Sequence, residues 1–200
     1  MAKKILILVG DYSEDYEVMC SYVTLKAVGH TVHVASPGKK AGESIRTSIH
    51  EFEFADEHNY SEKPGHRFRL NATLADLRPE DYDGIFCPGG RGAEYIRTTP
   101  PVRAIVQYFA KAGKPICSIC NGLQVLTDAG VVNGKTVIGY PDHRADAERA
   151  GARWADVQIV RGETEDRAIV DGNFVTGGVW GCLPSTLAAF LTLLGTTIQA

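Results

Sequence analysis

Short, unbroken apolar runs alternate along this chain with stretches whose apolar positions recur every three or four residues. Ile5–Val9 is a run of the first kind and predicts a buried parallel strand. Glu14 to Ala27 is of the second kind and predicts a helix closed by Gly29. Thr31–Ala35 predicts the next strand, ended by Pro37-Gly38. Residues 42–71 break the rhythm: Ile49, Phe52 and Phe54, then Phe68 and Leu70, suggest short strands or a hairpin-like insertion around a polar loop from Asp56 to Gly65, and Asn71–Leu77 a short helix. Asp83–Cys87 predicts a strand and Val102–Ala112 an amphipathic helix, opened by Pro100-Pro101 and closed by Gly113. Ile116–Cys120 predicts a strand, with a helix from Asn121 to Ala129 behind it. Val157–Val160 and Ala168–Val170 read as paired strands, turned by Asp171-Gly172-Asn173; Phe174–Thr176 reads as a strand and Ser185–Leu194 as a final helix. Such alternation predicts an α/β, mostly parallel, doubly wound sheet that binds ligands at the carboxyl ends of its strands.

Three polar or glycine-rich segments fall at such strand ends: Gly10–Glu17, Pro88–Glu94 and Cys120-Asn121. Cys120 sits where a strand turns at once into a helix, the sulfur counterpart of the corner that presents a nucleophilic serine. The first N–H groups of that helix favour negative charge and would lower the thiol pKa. This makes Cys120 the candidate nucleophile. A Cys117-x-x-Cys120 redox pair fits less well, because Cys117 lies within the strand. Acidic residues in a first helical turn often merely complement the dipole, a reading that suits Glu14 and Asp15. One carboxylate of this segment, reaching Cys120, could instead share a proton with it. Pro88-Gly89-Gly90-Arg91 permits close backbone approach, and the amides of Gly90 and Asn121 are the oxyanion-hole candidates. His50 and His143 are loose candidates for substrate contacts, as is His66.

Size and charge narrow the function. Two hundred residues, 44% of them hydrophobic, suit a single domain spanning 1–200. A net charge of -3 with interspersed signs offers no nucleic-acid footprint. The apolar run at the start is too short for an export or membrane segment. The five cysteines (20, 87, 117, 120 and 182) show no framework spacing and imply reduced thiols in a cytoplasmic compartment. The histidines show no metal-binding spacing, so neither metal nor cofactor is expected. Trp154 and Trp180 read as core or interface residues.

At these residues the chain resembles the ThiJ/PfpI family, which includes the parkinsonism-associated protein and the PfpI-type intracellular proteases. The likeness runs through Gly10–Glu17, Ser36–Lys40, Leu70–Leu74, Tyr82–Gly84, Pro88–Arg91, Gly113–Pro115, Cys120, Gly139–Pro141, Ala150–Ala152 with Trp154, and Asp171–Thr176. The resemblance implies a flavodoxin-like sandwich related to class I glutamine amidotransferases. It implies Cys120 as nucleophile, Glu17 as its carboxylate partner, and Gly90 with Asn121 as the oxyanion hole. Glu94 matches an acidic residue that reaches a neighbouring subunit's site, in members that are dimers or assemblies of dimers. Two positions depart from the family. The usual Cys-His-Gly reads Cys120-Asn121-Gly122, and the histidine that glyoxalase-active members place before a proline is Tyr140. Asparagine does not titrate, so a Cys-His-Glu protease triad cannot be assembled.

The expectation is therefore a cysteine-dependent enzyme acting on a small electrophilic carbonyl, glyoxalase- or deglycase-like, or a related hydratase, hydrolase or lyase. A PfpI-type peptidase and a non-enzymatic sensor or chaperone based on Cys120 oxidation are the alternatives.

Overall fold

The computed structural model describes residues 1–51, 59–157, 159–160, 163–164 and 166–197. Phe52, Phe54 and the start of the expected polar loop, 56–58, lie outside the described residues. The first strand, β1 (Lys4–Leu8), leads into helix α1 (Asp15–Ala27) and returns through β2 (Thr31–Ala35). A hairpin of β3 (Ser44–Glu51) and β4 (Ser61–Arg69) follows, paired antiparallel. Then come β5 (Gly84–Cys87), α2 (Arg91–Ile96), α3 (Pro100–Lys111), β6 (Ile116–Ile119) and α4 (Leu123–Asp128). The last part carries β7 (Thr136–Val137), α5 (Arg144–Arg149), β8 (Arg153–Trp154), β9 (Ile159–Val160), β10 (Glu163–Thr164), β11 (Ile169–Asp171), β12 (Phe174–Gly177) and α6 (Leu183–Leu193).

Six strands form the central sheet in the order β11-β12-β6-β5-β1-β2, parallel except for β11. This is the flavodoxin-like α/β arrangement the sequence predicts. The run Ile5–Leu8 is apolar throughout because both sheet faces are covered. Ile5 and Ile7 pack with Val18 and Leu25 of α1 and Phe190 of α6. Leu6 and Leu8 face the other way, among Val106 and Phe109 of α3 and Leu126 of α4. Trp154 and Trp180 are half-buried against these two clusters. Among the described residues no helix is long and apolar enough to cross a membrane.

The strand order reverses between β1 and β5, so the chain leaves these neighbours toward opposite halves of the sheet. The crevice at their carboxyl ends is where doubly wound sheets bind ligands. The segments after β1, β5 and β6 all arrive there.

Four local expectations change. Strand β4 begins at Ser61, inside the predicted polar loop, because pairing with β3 defines it and not its own mostly exposed side chains. Strand β11 pairs with β12, while β9 pairs with β10. The cause is local: Asp171 pairs directly with Phe174, leaving the two-residue loop Gly172-Asn173, with Gly172 at φ 64°, to close a tight hairpin. The helix expected across 71–77 is a single 3-10 turn, Leu74–Asp76. Behind Cys120, a 3-10 turn, Cys120–Gly122, precedes α4.

Candidate active site

Three strand ends meet at Cys120. After β1 the chain turns through Tyr12, whose φ is 63°, and Glu14 becomes the N-cap of α1. Its Oε2 accepts from the Glu17 backbone N–H at 2.7 Å. That places Glu17 in the first turn of the helix, fully buried, with Oε2 accepting from the Gly89 N–H at 2.5 Å. The Glu17 carboxyl lies beside Cys120, and its other oxygen, Oε1, is buried with no hydrogen-bond partner. Gly89 has to be glycine: a Cβ there would lie 2.7 Å from Cys120 Cβ and 2.9 Å from Glu17 Oε2. Gly90, at φ 73°, would drive a Cβ into the Glu14 backbone nitrogen.

Cys120 is 4% exposed and holds φ 56°, the left-handed region that costs a non-glycine residue about 1–2 kcal/mol. The strain comes with a presentation: the backbone amides of Asn121 and Gly90 stand where they favour the charged form of the sulfur. These are the two donors singled out in the sequence as an oxyanion hole.

The electrostatics run against one sequence expectation. Burial first, and then the neighbouring Glu17 carboxylate, push the Cys120 thiol well up, although the Asn121 and Gly90 amides pull it down. The helix-end effect is present but outweighed, because α4 is short and the sulfur is out of water. Glu17 is likewise raised well above the usual carboxylate range, by burial and then by the charge of Glu14. Glu14 itself is raised to about 7 by burial, against the backbone N–H groups of Glu17, His50 and Tyr16 that it accepts. Both the Cys120 thiol and the Glu17 carboxyl thus hold their protons more tightly than in water.

This has a consequence for stability. A carboxyl raised on folding contributes stability in full below its ordinary value of 4.5, and loses it as pH climbs toward about 7. His50 and His143, both lowered by burial, act in the opposite sense below 6.5. The difference between wild type and Glu14→Gln isolates the carboxyl. From pH 5 to pH 8 the wild type should lose a few °C of Tm more than Glu14→Gln, measured by thermal unfolding in matched buffers.

Around this centre lies a polar shell. The Asn121 side chain, 1% exposed, donates through Nδ2 to the Tyr60 hydroxyl at 3.4 Å. Its Oδ1 lies 3.8 Å from Cys120 Sγ and 2.9 Å from His143 Nε2. His143 Nε2 is also 2.8 Å from the Gln124 amide. The Tyr60 ring stacks on His50 at 4.0 Å and meets Tyr140 edge-on at 5.5 Å. Tyr140 donates its backbone N–H to the Cys120 carbonyl at 3.2 Å. His50 Nε2 reaches Ser48 Oγ and Glu62 Oε2, and Glu62 takes a bidentate bond from Arg91.

The structure therefore brings Cys120, Glu17, Gly90, Asn121, Tyr140, His50 and His143 together. It leaves Glu94 exposed on α2, at an open cleft of about 580 Å³ with Asp11, Tyr12, Arg91 and Tyr95. His66 is elsewhere, exposed and paired with Asp15. Sequence reasoning missed Glu14, Tyr60 and Gln124. Glu14 carried a usable signal, an acidic cap three residues before Glu17, but was read as dipole decoration. Tyr60 carried none, because it reaches the site only through the β3–β4 hairpin. Among the described residues no group of three or more His, Cys, Asp or Glu side chains is arranged to hold a metal ion.

Comparison with known proteins places this geometry. A model of the DJ-1/PfpI family matches residues 3–193. Protein DJ-1 homolog D of Arabidopsis thaliana is 41% identical over 197 residues, covering 98% of this chain and 49% of that protein. The chain thus spans about half the length of that plant relative. A protein named a deglycase from Pyrococcus horikoshii is 31% identical over 191 residues, covering 96% of this chain and 99% of the relative. Among solved structures, Drosophila melanogaster DJ-1beta superposes with a TM-score of 0.77 at 20% identity, covering 98% of this chain and 92% of the other. That likeness concerns the fold.

Proposed function

Because the chain belongs to the DJ-1/PfpI family, we propose that it is a cysteine-dependent enzyme of glyoxalase or deglycase type, acting on small α-oxoaldehydes or their adducts. The observation that carries this reading is the meeting of the Cys120 thiol, the Glu17 carboxyl and two backbone amides at one buried point. The deglycase name of the Pyrococcus relative supports it.

Substrate binding brings an electrophilic carbonyl against the sulfur. The thiol passes its proton to the Glu17 carboxylate as the C–S bond forms and the carbonyl π bond breaks, and the oxygen takes up the charge facing the Asn121 and Gly90 amides. Glu17 exchanges a proton with the resulting hemithioacetal, first as acid and then as base, which its raised affinity for a proton suits. With methylglyoxal, hydrogen transfer from C1 to C2 yields a thioester, and water releases lactate and restores the thiol. The low exposure of Cys120 favours small substrates and weighs against an oxidation sensor, which needs an accessible thiolate. A homodimer, with Glu94 and its cleft at a subunit contact, and a cytoplasmic setting belong to the same proposal.

The test is lactate formation from methylglyoxal. Glu17→Gln keeps an oxygen for the Gly89 N–H but cannot pass a proton. It should lower kcat by about 10²–10⁴-fold with little change in fold. Wild-type rates in Glu17→Gln would sink the acid–base role, and absence of any carbonyl turnover by wild type would sink the reading as a whole.

A further inference from the structure

The site contains an imidazole that no local motif announces. His143 lies 22 residues beyond Asn121, at the end of the 3-10 turn Pro141–His143 that leads into α5. We propose that His143 is a positioning residue for Cys120: it holds the Asn121 carboxamide with its oxygen on the thiol, and so keeps the resting nucleophile protonated and aimed. This rests on the reading of Cys120 as the nucleophile.

The geometry is a chain of three groups. Asn121 Oδ1 receives Cys120 Sγ at 3.8 Å and His143 Nε2 at 2.9 Å, so one oxygen joins sulfur and imidazole. The other end of the same carboxamide donates to the Tyr60 hydroxyl at 3.4 Å. A carboxamide is planar with distinct ends, and a donor on Oδ1 plus an acceptor at Nδ2 fixes which end faces the sulfur. Gln124 Nε2 also stands 2.8 Å from His143 Nε2; with the ring nitrogen donating to Asn121 Oδ1, the Gln124 carboxamide turns its oxygen to the ring instead.

The chemistry follows from which form of the thiol is favoured. An S–H donated to a fixed carbonyl oxygen stabilises the neutral thiol, whereas an amide N–H turned to the sulfur would stabilise the thiolate. His143 is neutral where the thiol titrates. Burial lowers it, Asp142 and Asp146 pull the other way, and Arg97 adds to the lowering. It therefore acts by hydrogen bonding and not by charge. The charged groups facing the thiol itself are Glu17 and Glu14, on and capping α1.

The experiment is the pH dependence of Cys120 alkylation by iodoacetamide, followed by peptide mass spectrometry, which needs no substrate. His143→Ala frees the carboxamide. It should move the midpoint of the rate profile down by about one pH unit, about ten-fold in rate at a fixed pH below it. His143→Gln, which can still donate to Oδ1, should stay within about two-fold of wild type. In an Asn121→Ala background, His143→Ala should have no further effect. A His143→Ala profile that superimposes on wild type would overturn the proposal. So would an equal shift with Asn121 absent, or failure of His143→Gln to restore the profile while its circular dichroism and Tm match wild type. Because alkylation proceeds with or without carbonyl turnover, failure here is distinct from failure of the enzymatic reading.

Discussion

Cys120→Ala should reduce kcat/KM for methylglyoxal by about 10⁴-fold or more, to the rate of the buffer reaction. Every group at the centre is aimed at this sulfur: the Glu17 carboxyl from α1, the Gly90 amide from the end of β5, and the Asn121 amide from its own turn. Without the sulfur there is no covalent intermediate for the amides to stabilise, and Glu17 has no proton to exchange. Cys120→Ser separates two contributions. The hydroxyl keeps the size and hydrogen bonds of the group but is a far weaker nucleophile without a strong base beside it. It should therefore fall nearly as far as alanine. The measurement is steady-state lactate production, with protein mass confirming that the wild-type thiol is reduced. A serine variant within ten-fold of wild type would mean that the centre binds a hydrated substrate and does acid–base chemistry alone.

Gly122→Ala should be among the most damaging single methyl groups in the molecule. Gly122 has an ordinary helical backbone, φ -57°, so alanine suits its conformation. Space is the difficulty. A Cβ would be driven into the Cys87 carbonyl oxygen and would sit 3.0 Å from the Pro88 carbonyl oxygen. Those carbonyls belong to the end of β5, which β6 pairs through Cys87 and Ser118. Relief would have to come by parting the two central strands. The expected cost is about 3 kcal/mol or more, a fall in Tm of roughly 6–12 °C. Gly113→Ala is the control. Its φ of 67° makes alanine strained, but nothing lies within 4 Å, so about 1 kcal/mol should be lost. If the two variants melt alike, close packing of the turn against β5 is not what Gly122 provides.

How much of this was legible in the sequence depended on whether the cause was local. The apolar runs of β1, β5 and β6 and the amphipathic α3 were readable because burial on one or two faces writes a period into the chain. Strand β4 was not, since its residues between Ser61 and Arg67 are mostly wet and its conformation comes from the ladder with β3. At the site, Cys120 and the glycines at 89 and 90 were readable, because a tight turn after a strand demands small residues. The ionisation of Cys120 was misjudged for the same kind of reason. Helix-end stabilisation is visible in sequence, whereas desolvation depends on what the rest of the chain folds over the sulfur. The Asn121–His143 contact belongs to this second class, joining residues that no spacing rule connects.

The left-handed, glycine-walled corner at Cys120 has one more consequence. Its neighbours come from positions 17, 89, 90 and 121, so nothing short of three docked strand ends creates the environment that keeps this sulfur quiet. In a nascent or heat-loosened chain Cys120 is an ordinary thiol, open to alkylation and oxidation at an ordinary rate. Chemical reticence at this one atom is thus a gauge of whether the central sheet has closed.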